Sequence, residues 1–94
     1  MRRFFIGSVA DPKEGYFEDN FERCKKFHAH VMHKDTKCKG PFDDVKPNDI
    51  CFLKYGKSLL AFGEVSETKK WEDEDRDIDN GWTWHVVVKE WYFF

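Results

Sequence analysis

Hydrophobic and polar positions along this chain change period several times, and each change marks an element. "RRFFIGSV", Arg2 to Val9, is a short run of β-favouring residues interrupted by Gly7 and followed by Asp11-Pro12, which predicts a first strand ending in a turn. From Tyr16 the period becomes helical: in "YFEDNFERCKKFHAHVMHK", Phe17, Phe21, Cys24, Phe27, His28 and Val31 recur at spacings of three and four. Glu18 and Asp19 come early and Lys and His late, the order that the helix dipole favours, so this stretch predicts the main helix. "DTKCKGPFDDVKPND" keeps no period and carries Gly40, Pro41 and Pro47; it reads as a connecting loop with room for one short turn.

The strongest local signal follows. "DICFLKY" and "SLLAFGEVSE" are β-compatible runs on either side of Gly56-Lys57, and predict a hairpin. Gly56-Lys57-Ser58 also raises the possibility of a phosphate-binding loop. That loop needs GxxxxGK[ST], and the residue five before Gly56 is Cys51. It must also lead into a helix whose first amides hold the phosphates, whereas Leu59 to Val65 continues as a strand. The tripeptide is therefore a turn, with Gly56 supplying a positive φ and Lys57 the exposed tip, and nucleotide hydrolysis within this chain is excluded. Beyond it, "TKKWEDEDRDIDNGW" reads as a long acidic loop, of a length that in a small domain points to mobility or function. "TWHVVVKEWYFF" returns to strand, with Trp84, Val86 and Val88 on one face and His85, Val87 and Lys89 on the other. The apolar "WYFF" implies a covered strand or a polypeptide that continues.

Ninety-four residues make one small domain, spanning 1–94, which buries roughly 60–65% of the surface its unfolded chain exposes. Ten Phe and four Trp predict a core that leans on rings. No apolar run approaches the roughly 18 residues of a membrane span, and the one before Asp11 is too short for a signal peptide, so a cytoplasmic protein away from membranes is expected. Cys24, Cys38 and Cys51 are odd in number, and Cys51 lies in an apolar run, a pattern of reduced thiols rather than of a disulfide framework.

Charge is uneven. The net value is −2, yet Arg23 to Lys39 holds six Lys/Arg against Asp35, a balance of +5 with three histidines. Glu64 to Asp79 holds eight acids against Lys69, Lys70 and Arg76, a balance of −5. One part could meet phosphates while the other avoids them; both could equally be solvated faces. His28, His30 and His33 with Cys24 and Cys38 invite a zinc reading, but no CxxC or HxxxH pair is present and His30 leaves the face shared by Cys24 and His28, so no metal or other cofactor is expected. Cys24 with His28 is the only nucleophile–base pairing and nothing supports it, and the consecutive carboxylates of "EDEDRD" are solvated rather than catalytic, so no catalytic residue and no enzyme is expected. What remains is a surplus of rings off the strands: Tyr16, Phe17, Phe42, Tyr55, Trp71 and Trp82. Such rings can cage a planar base at roughly 1–3 kcal/mol per stack, or they can cap a small core.

The order "RRFFIGSV", aromatic and basic helix, "VKPNDICFLKYGKSLLAFGEVSE", "WTWHVVVKEW" resembles the PUA-like superfamily of EVE, ASCH and YTH domains. Within it, the chain resembles the N-terminal DNA-recognition domains of McrB-type modification-dependent restriction systems. The hallmark K-x-G-D-x-x-x-x-K followed by G-x-V reads here as Lys46-Pro47-Asn48-Asp49, Lys54 and Gly63-Glu64-Val65, with Asn48, which tolerates positive φ, in place of Gly. The resemblance implies an α+β fold: a small curved EVE-like β-barrel of about five to six strands flanked by one or two helices. It also implies a pocket for a methylated or otherwise modified base flipped out of duplex DNA. Motif position assigns Ser8, Val9 and Tyr55 to that pocket; Trp71 and Trp82 join them from their loop positions. Phosphate contacts would fall to Lys25, Lys26, Lys34, Lys37, Lys39 and Lys57. The implied partners are DNA, an AAA+ GTPase or ATPase motor fused on the same longer polypeptide, and a separate nuclease. An RNA or modified-RNA module, and a protein-interaction or small-ligand domain with core rings, are the alternatives.

Overall fold

The computed structural model describes residues 3–34, 42–71 and 81–94; Lys37, Lys39 and most of the acidic run lie outside them. Its elements are β1 (Phe4–Ser8), α1 (Phe17–Phe27), β2 (Ala29–Met32), a 3-10 turn (Phe42–Asp44), β3 (Ile50–Tyr55), β4 (Ser58–Lys70), β5 (Trp84–Val88) and β6 (Tyr92–Phe93). The fold is α+β, one helix on a mixed sheet of order β1-β3-β4-β5-β2, with β6 on the free side of β4. No helix among the described residues is long and apolar enough to cross a membrane.

The strand β4 organises the sheet. Its first half pairs antiparallel with β3 through the Gly56-Lys57 turn, where Gly56 has the expected positive φ of 59°. Its second half pairs with β5, and between the halves Ser66 bulges out of register while its hydroxyl donates to the Val87 carbonyl. β3 carries parallel β1 on its other side, and β5 carries β2. The strands therefore curve from β1 to β2 without a ladder between those two edges, so the sheet stays open where a barrel was expected. Side chains bridge the edges instead: Asn20 Nδ2 on α1 donates to the carbonyls of Val9 (2.6 Å) and Val31 (3.2 Å), and the His30 ring meets the Ser8 carbonyl at 3.2 Å.

The Lys46–Asp49 turn shows what its motif does. Asn48 has φ 77°, and the Asp49 carboxylate accepts from the amides of Lys46 (2.9 Å) and Arg3 (3.1 Å), tying the turn to the start of β1. The Lys46 amide, with those of Arg3 and the nearby cations, holds the Asp49 carboxyl below the usual carboxylate range.

One expectation is corrected and another refined. The helical period runs on through Val31, but α1 ends at Phe27: His28 turns left-handed (φ 49°), its amide closes on the Cys24 and Lys25 carbonyls, and Ala29–Met32 forms a fully buried strand. The most deeply buried hydrophobic side chains, Val9, Cys24, Val31, Cys51, Leu53, Ala61 and Val65, carry no ring; Trp91 joins them in the core, its Nε1 donating to the Cys24 carbonyl (3.0 Å), while Phe5, Phe17, Phe21, Phe27, Phe42, Trp82 and Trp84 pack half-buried against them. β4 also continues to Lys70, beyond the hairpin strand legible in the sequence.

Candidate functional site

A cleft of about 990 Å³ opens between β1 and β2, where the sheet lacks its last ladder. Its inner wall comes from Gly7, Ser8 and Val9 at the end of β1, from Asn20 of α1 and from His30 of β2. Gly7 is required there: a Cβ would stand 2.5 Å from the His30 ring. Because a carbonyl only accepts, the contact with Ser8 places the His30 proton on Nε2. Burial, opposed by that hydrogen bond and reinforced by the charge of His85, lowers the His30 pKa, so the ring is neutral at pH 7. His85, behind Trp82 in sequence, is likewise depressed by burial; its Nε2 donates to the Trp82 carbonyl (3.1 Å).

The outer wall is aromatic and cationic. Trp82 lies 5.7 Å from Tyr16, tilted at 54°, and edge-on to His33 at 5.1 Å; the Arg23 guanidinium sits 4.3 Å over its ring. Gly81, at φ 86°, presses its backbone against His33, and its carbonyl accepts from the Lys34 amide. These contacts fix the Trp82 ring at the mouth before any ligand arrives. Asn20 Oδ1 is buried in the adjoining wall without a hydrogen-bond partner.

Of the residues expected to form a pocket, Ser8, Val9 and Trp82 line the cleft together. Tyr55 and Trp71 do not. Tyr55 stacks on Phe17 at 4.1 Å, because the hairpin turn packs on the start of α1. Trp71 packs beside His85 under the Lys69 ammonium, its Nε1 buried without a partner. Among the expected phosphate ligands, exposed Lys34 and Lys57 directly follow the lining residues His33 and Gly56. Lys25 pairs with Glu22 (2.6 Å) and Lys26 lies over Phe27, both along α1 away from the cleft lining. Lys37 and Lys39 lie outside the described residues.

Asn20, His30 and His33 also line the cleft and were missed as pocket residues, while Arg23 touches Trp82 without lining the cleft. Only Asn20 left a signal, a polar residue three after Phe17 and four before Cys24 on the apolar face of a helix. Burial pushes the Cys24 and Cys51 thiols up to about 12, which keeps these two protonated at neutral pH; Cys38 lies outside the described residues. No protein-family model, curated protein or solved structure matches the chain.

Proposed function

We propose that this chain is a non-enzymatic nucleic-acid recognition module that accepts a modified, methylated base, flipped from duplex DNA, into the cleft between β1 and β2. The single observation that carries this reading is the preset wall of Trp82, with Tyr16 beside it and Arg23 stacked over it, on a cleft large enough for a nucleotide. Neutral His30 would face the base edge, while Lys34 and Lys57, beside the lining residues His33 and Gly56, meet phosphates. On the resemblance of its motifs to the PUA-like superfamily, the module would direct a McrB-type complex with an AAA+ motor and a partner nuclease.

The test is a fluorescence-anisotropy titration of duplex DNA with and without one methylated base, competed with methylated single-stranded RNA. Trp82→Ala should remove the preference for modified duplex, a loss of roughly 1–3 kcal/mol or about five- to 150-fold. Lys57→Ala should weaken both duplexes alike. A folded Trp82→Ala variant that binds as wild type sinks the cage, and RNA that outcompetes the methylated duplex moves the assignment to RNA.

A further inference from the structure

The face of β1, β3, β4 and β6 turned away from the core carries most of the exposed large hydrophobic side chains among the described residues. Alternation sends Phe4 and Ile6, Phe52, Phe62, Tyr92 and Phe94 to this side, and register aligns them across the four strands: Ile6 with Phe52, Phe52 with Phe62, Phe62 with Tyr92. Their rings touch in a continuous row, Phe4–Phe52 at 6.1 Å, Phe52–Phe62 at 6.0 Å, Phe62–Tyr92 at 5.4 Å and Phe62–Phe94 at 5.6 Å. Phe4 is 69% exposed and Phe94 73%. Together the outward side chains expose on the order of 600 Å², at the upper edge of what a monomer leaves in water.

We infer that this face pairs with the same face of a second copy of the chain. Two arguments select a second copy. The first is area: two such patches with their polar rims approach the roughly 1,600 Å² of a standard interface, which a nucleic-acid strand would not match with so few cations on the face. The second is charge. By alternation with Phe52 and Phe62, Lys54 of β3, which also borders the cleft, and Glu64 of β4, which already meets Lys89 of its own chain at 3.5 Å, fall at opposite ends of that pair because β3 and β4 run antiparallel. A two-fold axis in the interface, running across the strands over that pair, sets each copy's Lys54 beside the other's Glu64. The face is thus complementary to itself, as an isologous contact requires.

Sedimentation velocity from micromolar to hundreds of micromolar protein tests this. Wild type should sediment as a dimer that dissociates on dilution. Phe94→Glu, at an open strand end, and Phe62→Glu, at the centre, should each raise the dissociation constant at least about tenfold with an unchanged circular dichroism spectrum. Lys54→Glu, which sets like charges beside Glu64 of the second copy, should weaken the dimer as well. If Phe62→Glu does not fold, Phe94→Glu and Lys54→Glu still decide the matter. A wild-type protein that stays monomeric throughout, whether or not single-stranded RNA binds these rings, overturns the inference, as does a dimer that the folded variants leave intact.

Discussion

Removing the amide of Asn20 should open the molecule along the line where its sheet lacks a ladder. Asn20 is 1% exposed, and its Nδ2 is the donor for two carbonyls, Val9 at 2.6 Å and Val31 at 3.2 Å, one on each side of the gap. Asn20→Ala leaves both carbonyls without that donor, where each unmet buried group costs about 1–3 kcal/mol. It also removes Oδ1, itself a buried acceptor without a partner, which returns part of that cost. The net loss should be about 2–4 kcal/mol, against a total of roughly 5–14 kcal/mol for a domain of this length. Asn20→Asp separates the hydrogen-bond account from a packing account, because the shape is kept and both donors are lost. At neutral pH it should be at least as damaging as Asn20→Ala, since a carboxylate then faces two carbonyl oxygens. On acidification it should recover relative to Asn20→Ala, because a protonated carboxyl can donate once. Urea unfolding followed by tryptophan fluorescence gives both numbers. A loss under about 0.5 kcal/mol for Asn20→Ala, or an Asp variant as stable as wild type at pH 7, would refute the reasoning.

Gly7→Ala should destabilise by about 1–3 kcal/mol, because its Cβ meets the His30 ring; a thermal melt within a degree of wild type would contradict this. His30 and His85 are held neutral by burial, so their folded pKa values lie below the ordinary 6.5 of the unfolded chain. The unfolded state then binds more protons below that value, and their contribution to stability, complete above about pH 6.5, should decline as pH falls; urea midpoints at neutral and mildly acidic pH should show it, and His30→Gln should flatten part of the slope. With Cys38→Ser in place, Cys24 and Cys51 should react with a thiol reagent only as fast as the protein opens, a rate that rises with urea; prompt labelling of the native state would contradict thiols held near 12. Asn48→Gly should be neutral or slightly stabilising and Asn48→Ala should cost about 1 kcal/mol, because φ is 77° there; equal stability of the two variants would refute the turn's role.

The elements legible in the sequence were those with local causes. The Gly56 turn, the hairpin it joins and the Asn48 turn follow from two left-handed positions that residue type alone identifies. The end of α1 was not legible, because His28 occupies a cap usually given to Gly, and because Ala29–Met32 is buried throughout and so keeps no period of two. The site divided in the same way. Ser8 and Val9, assigned through the family resemblance, and Trp82, assigned from its loop position, do line one cleft. Tyr55 could not be excluded, since its stacking on Phe17 joins residues 38 positions apart, and the partnership of Asn20 with two strand edges is a product of topology alone.

The bulge at Ser66 couples distances that look unrelated. One wall of the cleft hangs from the first half of β4 through β3 and β1, and the other from the second half through β5 and β2. The two walls are therefore the arms of a pair of tongs whose pivot is one residue in the middle of a single strand. The two walls thus descend from one strand and meet again through the side chains of Asn20 and His30, so that a substitution at Ser66, outside the cleft lining, bears on both at once.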